Sequence, residues 1–101
     1  MKPLWIAALV VACMLVGGEV SAQTRDDLSR EQKVALIEHL DAGTEAYKLG
    51  DFEVAIREFR AAYELLPDPG LHYRMALAHE RLGQDAKAIE EYRLYLEKRP
   101  E

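Results

Sequence analysis

From Leu36 onward the apolar residues recur at helical spacing, and no alternating stretch interrupts them. Leu36, Leu40, Gly43 and Tyr47 fall four, three and four apart and define one helical face. Phe52, Ala55, Ile56, Phe59, Ala62, Tyr63 and Leu66 make a second, wider stripe. Leu71, Met75, Ala78 and Leu82 make a third, and Ala88, Ile89, Tyr92, Tyr95 and Leu96 a fourth. Polar punctuation separates the four segments: Gly50-Asp51, then Pro67-Asp68-Pro69, then Gly83-Gln84-Asp85, and finally Pro100. The pattern predicts an all-α fold of four helices.

The ends of these helices are also written in the sequence. Ser29 followed by Gln32 has capping-box form, in which each side chain satisfies a backbone N–H of the other. Gly50 suits the left-handed conformation that often closes a helix. Asp51 is expected to cap the helix after it. Asp68 is expected to cap the third, with Pro69 in a first turn that needs no N–H from it.

The chain repeats itself. A shift of 33 residues lays Leu49-Gly50 on Leu82-Gly83, Ala55-Ile56 on Ala88-Ile89, and Glu58 on Glu91. It also lays Phe59 on Tyr92, Arg60 on Arg93, Glu64 on Glu97, Pro67 on Pro100, and the small Gly43 on the small Ala76. Two units of helix, turn and helix follow, over 36–68 and 69–101, with 23–35 as an N-terminal extension that starts the first helix.

Gly50-Asp51-Phe52-Glu53-Val54-Ala55-Ile56 with Phe59, Ala62 and Pro67 resembles the core of a tetratricopeptide repeat, as do Gly83, Ala88-Ile89, Tyr92 and Pro100. The stretch from Ala61 through Pro100 also resembles repeat segments of exported bacterial proteins. The resemblance implies two antiparallel helical hairpins, with Gly43 and Ala76 where the helices of each hairpin approach closely. The departures are a period of 33 rather than 34, Asp85 in place of the aromatic at Phe52, and Tyr95 in place of the small residue at Ala62.

Residues 1–22 differ in kind. Met1-Lys2-Pro3 precedes 13 apolar residues, Leu4 to Val16; Gly17-Gly18 and then Val20-Ser21-Ala22 complete the layout of a signal peptide cleaved after Ala22. The run is short of the roughly 20 residues of a membrane-spanning helix. The expectation is export to the periplasm or the cell exterior. The alternative is a membrane anchor, through an uncleaved leader or through lipidation of Cys13 in its Val-Ala-Cys context.

Charge and composition narrow the function. The net charge of −5 gives no basic footprint for nucleic acid. Membrane contact is expected only through a retained leader or lipidated Cys13. Cys13 is the one cysteine, so the segment after Ala22 has no thiolate for a metal or for catalysis. His72 and His79 stand two helical turns apart, about 10 Å, and His39 stands alone; all three are read as partly exposed helix residues. The acidic residues are assigned to polar faces, and no glycine-rich phosphate loop or nucleophile–base pair is present. The expectation is a non-enzyme with no cofactor and no metal.

What remains is a binding surface. In the resembled family the first helix of each hairpin lines the concave face. That implies Tyr47 and Lys48 in the first unit, beside Thr44, and Tyr73, Arg74, Leu77 and Arg81 in the second. Tyrosine and arginine anchor interfaces disproportionately, and Lys48, Arg74 and Arg81 suit acidic side chains or a terminal carboxylate. A chain without asparagine does not carry the chaperone-type carboxylate clamp. The expected function is a protein- or peptide-binding adaptor or scaffold. The alternatives are a self-associating helical module, since Ile89, Tyr92, Tyr95 and Leu96 end the stack with an apolar side, or the first part of a longer repeat protein.

Overall fold

The computed structural model describes residues 24–100. The leader expected over residues 1–22, with Cys13 and the Ala22 cleavage site, lies outside them. A 3₁₀ turn, Arg25–Asp27, leads into four helices: α1 (Arg30–Leu49), α2 (Phe52–Leu65), α3 (Gly70–Arg81) and α4 (Asp85–Lys98). The described residues contain helices and no strands. None of these helices is long and apolar enough to cross a membrane.

The helix ends follow local chemistry. Ser29 Oγ accepts from Gln32 N at 3.1 Å while Ser29 N donates to Gln32 Oε1 at 2.9 Å, which fixes the start of α1. Gly50 closes α1 with φ +86, and Asp51 N reaches back to Ala46 O at 2.8 Å. Gly83 repeats this at the end of α3: its φ is +75, and Gln84 N reaches His79 O at 2.9 Å. Both are the six-to-one bond that a left-handed residue after the helix permits. The two turns are thus one motif used twice.

Asp51 departs from expectation. Its side chain makes no capping bond; its backbone carbonyl accepts from Ala55 N at 2.9 Å, and Gln84 O does the same for Ala88 N at 3.0 Å. The tight turn already orients the first N–H groups of the following helix, so a side-chain cap is dispensable. Asp68 behaves as expected: its Oδ1 accepts from Gly70 N at 2.9 Å.

Packing joins α1 to α2, α3 to α4, and α2 to α3, which makes two hairpins stacked through their central helices. Leu36 and Ala46 of α1, Ala55, Phe59 and Ala62 of α2, and Leu71 and Met75 of α3 form one continuous core. Leu28, from the N-terminal extension, is buried in the same cluster. Each large apolar side chain so buried contributes about 1.5–3 kcal/mol.

The close approach within the first hairpin is quantitative. A Cβ on Gly43 would stand 2.7 Å from Cε1 and 2.8 Å from Cδ1 of Phe59. Any side chain there would have to displace a ring that is itself 2 % exposed. Its counterpart Ala76 is fully buried in the second hairpin. The fourth helix carries the open apolar side expected of it: Ala88 is buried, while Ile89 is 66 % and Leu96 57 % exposed, with no further helix over that side among the described residues.

Candidate functional site: a groove between the first helices

Thr44, Tyr47 and Lys48 stand three and one residues apart on α1, so they share one face and project together. Arg74 and Leu77 stand three apart on α3 and face them across the inter-hairpin cleft. Phe59 of α2 floors the space between. These six residues line an open hollow of about 220 Å³. That is smaller than the roughly 300–1,000 Å³ of small-molecule sites, and it suits a single inserted side chain.

Contacts hold the walls. The Thr44 hydroxyl donates to Leu40 O at 2.8 Å, which ties its side chain to the helix at the cleft wall. Arg74 Nη1 lies at a long 3.5 Å from Thr44 Oγ1, and its guanidinium carbon sits 5.8 Å from the centre of the Phe59 ring. That placement combines a cation–π contact with a charge held at the rim. Tyr47 meets Phe52 edge-on at 5.2 Å, which fixes its ring at the cleft's other side. An adjoining hollow of about 400 Å³ shares Tyr47 and Lys48 and extends to Arg81.

The groove also carries positive charge. Ion pairs among the described residues join His39 to Glu58, Arg60 to Glu91, His72 to Glu91 and Arg93 to Glu90. Lys48, Arg74 and Arg81 take part in none of them. Among the described lysines and arginines only Arg60 and Arg93 are paired with a carboxylate; what sets Lys48, Arg74 and Arg81 apart is that they border one cleft and its adjoining hollow.

Five of the six residues implicated from sequence therefore border this groove: Tyr47, Lys48, Arg74 and Leu77 at the first cavity, and Arg81 at the second. Tyr73 does not border it. Its ring packs against Tyr92 at 5.7 Å and Tyr95 at 5.4 Å, on the side of α3 that faces α4. Within this cluster Tyr92 donates to Glu80 Oε1 at 3.2 Å; desolvation first, and then that bond, raise its phenol above the usual value. Phe59 is the groove residue that sequence reasoning counted only as core. Its spacing within α2 is that of every buried neighbour, and nothing in the sequence marks it as the floor of a cleft.

The histidines require a correction. His72 and His79 are buried rather than partly exposed. His72 Nδ1 lies 2.7 Å from Glu91 Oε1, and Glu91, expected on a polar face, is buried with it. His79 Nδ1 lies 2.7 Å from Gln84 Oε1, tying α3 to the turn that follows. In both rings Nδ1 has a polar partner, which offsets part of the cost of burial, while His72 Nε2 is buried without one. His39 pairs with Glu58 at the same 2.7 Å in the first hairpin. The 33-residue shift that lays Glu58 on Glu91 also lays His39 on His72, so this repeated His–Glu clasp was available in the sequence.

Among the described residues no three His, Cys, Asp or Glu side chains are grouped as a metal would need. The clasps join helix to helix within each hairpin and stand apart from the groove's lining residues.

No curated protein and no solved structure matches the chain. The family model described as tetratricopeptide repeat matches residues 40–101, more than half of the chain and all of both hairpins from Leu40 on. With the stacked hairpins, the twice-used glycine turn and the close helix approach at Gly43, that match shows that the chain belongs to the tetratricopeptide repeat family.

Proposed function

We propose that this protein is a non-catalytic exported adaptor whose α1–α3 groove takes an acidic peptide segment carrying one apolar side chain. Tetratricopeptide repeats generally mediate protein–protein interaction, which supports the adaptor role. The observation that carries the finer reading is a side-chain-sized cavity over Phe59 with Lys48 and Arg74 at its rim and Arg81 at the adjoining hollow. The apolar side chain fills the cavity, and the flanking carboxylates meet the exposed cations beside it. Charge-assisted bonds of this kind are roughly twice as strong as neutral ones.

The combined substitutions Lys48→Glu, Arg74→Glu and Arg81→Glu reverse the rim without touching the core. They are expected to weaken binding of an acidic, leucine-containing peptide at least a hundredfold, about 3 kcal/mol, and to reverse the salt dependence of what remains, since added salt then screens repulsion. Affinity unchanged in the triple variant would remove the groove from consideration. Export is supported by the composition of residues 1–22. The mass of the protein recovered from its native compartment should correspond to a chain beginning at Gln23, and a full-length mass beginning at Met1 would argue for the anchored form.

A further inference from the structure

The groove does not stop at the hollow over Phe59. Toward the start of α3 it continues into a hollow of about 350 Å³, where Asp41 and Asp68 join Thr44 and Arg74. Beyond that lies one of about 250 Å³ lined by Leu36, Leu40, Leu66 and Leu71, together with Arg25 and Asp68. Neighbouring hollows share walls. Tyr47 and Lys48 divide the hollow at Arg81 from the one over Phe59, and Thr44 and Arg74 divide that one from the acidic hollow. Leu40, Asp68 and Leu71 divide the acidic hollow from the leucine-lined one. On α1 the dividing residues Lys48, Thr44 and Leu40 recur every four residues, so the hollows follow one another at about 6 Å. Their chemistry changes along the row. Lys48 and Arg81 border the first hollow, and Phe59 and Leu77 the next. Arg74 borders two hollows, but its guanidinium lies over the Phe59 ring. The acidic hollow therefore presents the exposed carboxylates of Asp41 and Asp68, and the last is walled by leucines.

Building on the groove as the peptide site, we infer that its occupant is an extended segment of a partner protein whose alternate residues read acidic, apolar, basic, apolar. An extended chain turns every second side chain to the same face, about 6.6 Å apart. That repeat matches the spacing of the hollows, so one face of the segment places one side chain in each. The carboxylate meets Lys48 and Arg81, and the first apolar side chain lies over Phe59. The basic side chain, two residues on, meets Asp41 and Asp68, and the second apolar side chain enters among Leu36, Leu40, Leu66 and Leu71. A carboxylate at the basic position would instead face Asp41 and Asp68, and like charges set against each other disfavour that partner. The order of charges along the segment thus becomes part of its recognition, and the leucine-lined hollow supplies a second anchor.

Three capped fluorescent heptapeptides, titrated into the full chain and followed by polarisation, test this. The first reads Glu-Ser-Leu-Ser-Lys-Ser-Leu. The second, Glu-Ser-Leu-Ser-Ser-Ser-Ser, keeps only the acidic residue and one anchor. The third, Glu-Ser-Leu-Lys-Ser-Leu-Ser, has the composition of the first but turns its lysine and second leucine to the other face. The first is expected to bind at least tenfold more tightly than the second, and the third within threefold of the second. Asp41→Lys should cut the advantage of the first over the second at least fivefold. Asp41 is exposed, so the variant keeps the core, which an unchanged circular dichroism spectrum verifies. Equal affinities for the first and third peptides overturn the inference, as does an advantage that Asp41→Lys leaves unchanged. A stapled helical peptide of the same charges, with its leucines seven residues apart, that bound more tightly than the first would make the occupant a helix and equally overturn it. If the second peptide binds and the first gains nothing over it, this inference alone falls; if none of the peptides binds, the groove falls as the peptide site and the inference with it.

Discussion

Phe59→Ala is expected to lower the unfolding free energy by about 3–5 kcal/mol, the largest loss from any single truncation in this chain. The ring is 2 % exposed and sits in the core cluster that spans α1, α2 and α3. On one side it fills the space that Gly43 leaves open; on the other it floors the groove and carries the Arg74 guanidinium. Its removal leaves a cavity that neither helix can collapse into, because the helical backbone at Gly43 has no side chain to lend. A domain of this size has about 5–15 kcal/mol of stability in all, so the variant should be partly unfolded at 37 °C. Urea denaturation followed by circular dichroism measures the loss. Phe59→Leu, which refills most of the volume, should cost roughly 1–2 kcal/mol. A loss below 1 kcal/mol for the alanine variant would show that the ring is not the joint between the hairpins.

The second large effect belongs to the buried clasp. His72→Leu should cost about 3 kcal/mol, because it leaves Glu91 in the interior with only Arg60, 3.7 Å away, as a charged neighbour. Combining it with Glu91→Leu should restore the chain to within about 1 kcal/mol of wild type, since an apolar pair of similar volume leaves nothing unsatisfied. The first hairpin supplies the control. His39 and Glu58 make the same contact with side chains 36 % and 22 % exposed, so breaking that pair should cost less than about 1 kcal/mol. A double-mutant cycle on each pair reads the difference directly. Equal coupling energies in the two hairpins would mean that burial does not set the strength of the clasp.

Much of this architecture is legible in the sequence because it depends on local rules. The Ser29–Gln32 box, the left-handed Gly50 and Gly83 and the Asp68 bond to Gly70 are short-range, and the helical stripes follow directly from residue spacing. The groove's walls were accessible for the same reason, since Tyr47, Lys48, Arg74 and Leu77 lie on faces that helix geometry fixes. What escaped depends on how helices meet. Tyr73 follows the spacing of Arg74 and Leu77, yet the bulky Tyr92 and Tyr95 across the second hairpin draw its ring away from the groove. Phe59 reads as one more core residue until α1 and α3 part above it. His72 and Glu91 read as polar-face residues because each is polar alone; they are buried with His72 Nδ1 set on Glu91 Oε1 across the hairpin, which leaves only the buried His72 Nε2 without a partner among the described residues.

The most direct test is a map of amide shifts on the isotopically labelled chain during titration with a short peptide of glutamates flanking a single leucine. The perturbed residues should gather at Thr44, Tyr47, Lys48, Arg74 and Leu77, and the Phe59 ring resonances should shift with them. Saturable shifts confined to the opposite side of α2 and α4, with the Phe59 ring and the two groove-lining helices unmoved, would contradict the groove as the binding site.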